Sequence, residues 1–166
     1  MDFRRVFAHP ASIFFQRGIA SLQMKEMASL STEPAPGCSF LVSVFEIPEE
    51  LLPDFYEREE EFQIIRAKFQ ELDGRMGADE TFETKYKAYG LDTFWGWDAQ
   101  SGIIPCRVYL RHCLLAVKKL GQEVYDDFVA TTYLGDRTTS IEEYIEANPS
   151  IMLERPPPHL VDRYSG

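Results

Sequence analysis

The sequence predicts a single mixed α/β domain, because β-prone runs gather in its first half, a helical pattern interrupts them, and amphipathic helices fill the stretch after Pro105. Taken in order, Phe3 to Phe7 and Ser12 to Phe15 read as two short strands interrupted by His9-Pro10. Gly18-Ile19-Ala20 opens a turn into a third strand near Met24 to Leu30, and Glu33-Pro34-Ala35-Pro36-Gly37 has the composition of a turn. From Cys38 to Ile47, Phe40, Val42 and Val44 alternate with Leu41, Ser43 and Phe45, the pattern of a strand apolar on both faces. Pro48 with Glu49 and Glu50 then marks a helix start, because proline suits the first helical position and acids suit the first turn. Pro53 implies that this first turn is distorted or that the helix restarts there. Phe62 to Phe69 returns to strand propensity and completes a strand, helix, strand unit.

Gln70 to Ser101 carries loop signals at Gly74 and Gly77 and a short helical pattern over Thr81 to Tyr89. The aromatics Tyr86, Tyr89, Phe94, Trp95 and Trp97 fit either a ligand pocket or the covered edge of a core. After Pro105, Tyr109, Leu110, Cys113, Leu114, Ala116, Val117 and Leu120 form a wide apolar stripe that Gly121 terminates. Val124, Tyr125 and Phe128 pattern a second helix to about Ala130. The run Thr139-Ser140-Ile141-Glu142-Glu143 contains the hydroxyl and acid spacing of a capping box and opens a third, which ends before Asn148-Pro149. The organisation expected is a domain over residues 1–150 and an extended or disordered tail over 151–166, where Pro156-Pro157-Pro158 lies.

Composition narrows the function classes. The chain has 166 residues, 45% of them hydrophobic, and a formal charge of −10, which disfavours nucleic acid and anionic membranes as main partners. No secretory apolar core or membrane-spanning run is present. Arg4, Arg5, Arg17 and Lys25 cluster early, where they read as a local basic site for an anionic group or as an Arg-rich targeting segment; the strand patterning favours the first. Cys38, Cys106 and Cys113 are odd in number and contain no Cys-x-x-Cys pair, so neither a disulfide framework nor a zinc knuckle is indicated, and a reducing compartment such as the cytoplasm fits. His112 and Cys113 are neighbours on a helix and point about 100° apart, as packing residues do rather than a nucleophile and its base.

Glu59 stands out. At about 100° per residue it falls on the apolar face with Leu52, Phe55 and Phe62, whereas Glu57, Glu60 and Glu61 turn toward water. Burial penalises a carboxylate's charged form. The residue is therefore a helix-end Glu that bends out to solvent, a carboxylate with a strong partner, or an acid placed for proton chemistry.

Phe55-Tyr56-Glu57-Arg58-Glu59 and Pro105-Cys106-Arg107-Val108-Tyr109-Leu110-Arg111 head two blocks that resemble the γ-glutamylcyclotransferase-like family. Phe55-Tyr56-Glu57-Arg58-Glu59 is similar to the family's Leu-Asp-x-x-Glu segment and matches Glu59 to the catalytic acid. Pro105-Cys106-Arg107-Val108-Tyr109-Leu110-Arg111, Thr131-Thr132-Tyr133-Leu134-Gly135-Asp136 and Ile141-Glu142-Glu143-Tyr144 resemble its C-terminal helices and match Tyr109 to a tyrosine beside the substrate. Phe3-Arg4-Arg5-Val6-Phe7 resembles the strand after the family's opening segment. The likeness implies a small mixed β-barrel or strongly curved sheet with packed helices, and release of 5-oxoproline from a γ-glutamyl peptide or amine without a cofactor or metal. Glu59 is then the proton shuttle, Tyr109 a substrate contact, and backbone amides near the first strand, with Arg4 or Arg5, meet the carboxylates. Two departures qualify the match. The 1–150 domain is expected to lack the family's first strand and its Tyr-Gly-Ser loop, and Glu60 stands where the family has a glycine. The alternative the sequence keeps open is a catalytically inactive relative that binds a small ligand or a protein; the oligomeric state stays open too.

Overall fold

The computed structural model describes residues 2–42, 46–59, 89–91 and 97–166. Its centre is a four-stranded mixed sheet of β1 (Phe3–Pro10), β2 (Glu26–Pro34), β3 (Ile104–Pro105) and β4 (Thr132–Leu134), in the order β3-β2-β1-β4. β1 and β2 are antiparallel, while β4 joins β1 and β3 joins β2 in parallel. Among the described residues the sheet is open, with β3 and β4 at its edges, so the mixed α/β class is met without a closed barrel.

The N-terminal half corrects several expectations. β1 runs through His9-Pro10 instead of stopping there, because a register shift between Phe7 and His9 absorbs the irregularity and the proline falls at the strand's last position, where a missing N–H costs least. Ser12 to Phe15 is not a strand but part of helix α1 (Ser12–Gln16), whose Phe14 is buried. Gly18, at φ +65°, stops it: the amides of Gly18 and Ile19 bond back to Phe15 and Phe14 carbonyls, the wrapped C-terminus that glycine permits. Packing overrides the β propensity of Ile13-Phe14-Phe15. β2 extends through Glu33 and Pro34, and the turn contracts to Pro36-Gly37 with Gly37 at φ +82°.

The strand read from Cys38 to Ile47 is not formed at residues 38–42 or 46–47; residues 43–45 lie outside the described set. Leu41 and Val42 are exposed, and the Leu41 amide donates to Asp127 Oδ2 instead of a neighbouring strand (3.2 Å). Beyond Pro48, Glu49–Leu51 form a 3₁₀ turn and α2 (Leu52–Arg58) restarts with Pro53 in its first turn, where a proline leaves no broken bond. The strand expected over Phe62 to Phe69 and the helix over Thr81 to Tyr89 fall on residues outside the described set, except Tyr89, whose ring stacks on Phe15 (5.1 Å).

The C-terminal half follows its patterning closely. α3 (Arg107–Lys119) buries Val108, Leu110 and Leu114. Gly121, at φ +119°, separates it from α4 (Gln122–Thr131), which buries Phe128 and Val129. α5 (Ile141–Ala147) opens on the full Ser140–Glu143 capping box. The segment expected to be an extended or disordered tail instead carries 3₁₀ turns at Pro149–Leu153 and Pro158–Leu160 and buries Ile151, Leu160 and Tyr164. Apolar burial explains the difference: three well-spaced hydrophobic side chains anchor a segment whose prolines already limit its freedom.

Two apolar clusters result. The larger joins Phe7, Met27, Ile103, Leu110, Leu114, Phe128 and Ile141 between the sheet and helices α3 to α5. The smaller joins Ala11, Phe14, Cys106, Val108, Leu160 and Tyr164, and Tyr109 packs against both. Among the described residues no helix is long and apolar enough to cross a membrane.

Candidate functional site

Glu59 sits directly after α2, where its amide closes the last turn on the Phe55 carbonyl (3.0 Å). Like Leu52 and Phe55 on the same helix, it is half-buried, while Glu57 is exposed. The described part of the predicted face is therefore realised; Phe62, Glu60 and Glu61 lie outside the described residues. An acid at a helix C-terminus opposes the helix dipole.

Tyr109 occupies a different setting, in the first turn of α3. Its ring packs against Phe14 (4.8 Å) and edge-on to Phe7 (6.3 Å). Burial, then the neighbouring Cys113, drives the Tyr109 hydroxyl well above the ordinary range, and that hydroxyl hydrogen-bonds with Ser29 and Cys113. Ser29 is the strand partner of His9 across β1 and β2. His9 is 1% exposed, and burial lowers it to about 4. Burial also pushes Cys106 and Cys113 up to about 12, the former with its thiol donating to the Ile19 carbonyl (3.1 Å). Near pH 7 this interior is thus a set of uncharged donors and acceptors, with neither thiolate nor imidazolium. The pairing of His112 and Cys113 as packing residues agrees: Cys113 turns to Tyr109, and His112 Nδ1 accepts the Gly166 amide (3.1 Å).

The two arginines named from the sequence are engaged by other side chains, and on opposite faces of β1, as adjacent strand residues must be. Arg4 donates through Nε to Glu33 Oε1 (2.8 Å), and Arg137 binds the other oxygen of that carboxylate (3.2 Å). Arg5 donates through Nη2 to Asp127 Oδ2 and Thr131 Oγ1, both at 2.7 Å, with its guanidinium between the rings of Phe40 and Phe128. Burial lowers the Arg5 pKa, against the opposing pull of Asp127. A third node lies away from these: Arg107 pairs with Glu154 (2.9 Å) and Glu26 (3.8 Å), and burial raises Glu26 although Arg107 opposes it.

The structure therefore gathers Tyr109 with His9, Ser29 and Cys113, separates Arg4 from Arg5, and leaves Glu59 on α2. Sequence reasoning did not single out His9 or Ser29. Their signal was faint: a His and a Ser inside runs of β-prone residues, whose pairing only the strand register reveals. Among the described residues no group of three or more His, Cys, Asp or Glu is placed to hold a metal ion. No protein-family model matches the chain, and no curated protein or solved structure matches it.

Proposed function

We propose that this chain is a γ-glutamylcyclotransferase-type enzyme acting on a γ-glutamyl peptide or amine. The α-amine nitrogen attacks the γ-carbonyl carbon, the five-membered lactam closes, the C–N bond to the leaving amine breaks, and 5-oxoproline and the amine depart. A tethered nucleophile already has a large effective concentration, so the protein has only to fold the substrate and move protons. Glu59 takes a proton from the α-ammonium and returns one to the leaving nitrogen. Tyr109, whose hydroxyl is held by Ser29 and Cys113, serves as a substrate contact. Arg4, whose side chain is more exposed than that of Arg5, is the guanidinium within easier reach of a substrate carboxylate.

The observation that carries this reading is Glu59: a half-buried acid at the end of α2, on the same face as Leu52 and Phe55. Incubation with γ-glutamyl-alanine and chromatographic detection of 5-oxoproline tests it, repeated with Glu59→Gln, since the amide cannot shuttle protons. Equal turnover by the variant removes Glu59 from the mechanism. A second reading, a catalytically inactive relative that binds a small ligand or a protein, is favoured by the engagement of Arg4 and Arg5 with Glu33 and Asp127. Tight binding of γ-glutamyl-alanine in calorimetry with no 5-oxoproline released would decide for that reading.

A further inference from the structure

Arg5 on β1 and Thr132 on β4 are paired positions in parallel strands, so their side chains leave the sheet on the same side. Both residues are buried, at 8% and 0% exposure. Arg5 Nε and Thr132 Oγ1 are each shut off from bulk solvent, and neither has a hydrogen-bond partner among the described residues. Leaving two such groups unmet is costly in a native interior. The neighbouring contacts do not relieve them: Asp127 and Thr131 take Arg5 Nη2, and the rings of Phe40 and Phe128 lie 4.8 and 5.0 Å from the guanidinium carbon.

We propose that Arg5 Nε and Thr132 Oγ1 together bind one internal water molecule that bridges β1 and β4. Proximity argues for it: Arg5 and Thr132 are register partners across β1 and β4, and the Arg5 guanidinium reaches Oγ1 of Thr131, the residue just before Thr132, at 2.7 Å. Charge argues for it as well. Arg5 is already neutralised by Asp127, so a neutral acceptor suits the remaining N–H better than a second anion. Polarity completes the case, since buried waters occupy sites where otherwise unmet polar groups converge, whereas apolar voids stay dry. The water accepts from Arg5 Nε and exchanges a hydrogen bond with the Thr132 hydroxyl, fastening the edge strand to the sheet's interior where α4 passes into β4.

The test is a water-to-protein rotating-frame Overhauser experiment on the ¹⁵N-labelled full chain, read at the Arg5 Nε–H. A cross-peak of dipolar sign at the water frequency is expected in the wild type and in Thr132→Ser, and its loss in the isosteric Thr132→Val. An exchange-type peak would mean that bulk solvent reaches Nε, and a protected Nε–H without any water peak would mean that the site is dry. Either overturns the proposal, as does a peak unchanged in Thr132→Val. Should the valine variant fail to fold, the sign and presence of the wild-type peak decide alone.

Discussion

Helices α2 and α3 carry two of the candidate site residues, Glu59 and Tyr109, in opposite physical settings. α2 spans seven residues, has no side-chain cap and leaves Leu51, just before it, and Tyr56 exposed, with Glu59 half-buried at its end. α3 spans thirteen, buries Val108, Leu110 and Leu114, and sets Tyr109 between two apolar clusters. The difference separates two roles that an active site needs. A donor that must keep its place and its proton is best rooted in the core, whereas an acid that must exchange protons has to stay partly open to the medium.

The sharpest way to break this comparison is to substitute both residues. If Glu59 does the chemistry on a lightly packed element, Glu59→Gln should lower 5-oxoproline formation about 1,000-fold, within the range general acid–base groups supply, while the urea midpoint moves by less than about 0.5 kcal/mol equivalent. Tyr109→Phe should show the reverse balance, losing about 1 kcal/mol of stability because Ser29 and Cys113 lose their partner. Paired steady-state kinetics and urea titrations read both quantities. Large stability losses in the Glu59 variant would show that it is a structural acid after all.

The neutral interior beside Tyr109 gives a second, pH-dependent test. Burial lowers His9 from its ordinary 6.5 to about 4, so below pH 6.5 the unfolded chain binds a proton that the folded chain refuses. The His9 contribution is therefore fully present above about pH 6.5, falls as pH drops toward 4, and levels off below that. A shift of this size corresponds to about 3 kcal/mol in all. Urea unfolding at pH 7 and pH 4.5 should show a loss that His9→Gln reduces, with the carboxylates common to both proteins subtracted. Parallel pH profiles for the two would mean that His9 meets a proton as easily folded as unfolded.

The two adjacent arginines narrow the comparison to single side chains. Arg5→Met should cost about 2 kcal/mol: it leaves Asp127 without its buried partner, although the 23% exposure of that carboxylate lets water replace part of the loss. Arg4→Met should cost under about 1 kcal/mol, because the Arg4 and Glu33 side chains are each about one-quarter exposed and Arg137 still pairs with Glu33. Equal losses, measured as urea midpoints with unchanged m-values, would remove the distinction between the two faces of β1.

The same contrast between rooted and lightly packed elements explains what the sequence could tell. Helices α3, α4 and α5 were legible because their apolar spacing, Gly121 and the Ser140–Glu143 box are local signals that agree with their packing. α1 was misread because Ile13, Phe14 and Phe15 have strand propensity and only tertiary burial turns them into a helix. Residues 38–42 were misread for the opposite reason: the alternating pattern is real, but the Leu41 amide bonds to an Asp127 side chain far along the chain. Glu59 was legible as an anomaly because one carboxylate on an apolar face breaks a period that can be counted. His9 and Ser29 broke no period, and a strand register across β1 and β2 is not written in either segment alone.

The smallest effect concerns how a helix of seven residues survives at all, since α2 and α5 have the same length. In α5 the Ser140 hydroxyl accepts from the Glu143 amide (3.2 Å) and the Glu143 carboxylate accepts from the Ser140 amide (2.8 Å), so two orphan donors of the first turn are met. Ser140→Ala should therefore cost about 1 kcal/mol and speed exchange of the Glu143 amide. At the start of α2 the preceding 3₁₀ turn does this work instead: the Leu51 amide bonds to Pro48 and the Leu52 amide to Glu49. Leu51→Ala should then leave exchange in α2 nearly unchanged, because no side-chain bond is lost. Hydrogen-exchange rates in the two variants, read at the first-turn amides, test this directly; protection lost equally from both helices would mean that neither terminus is held by the bonds described.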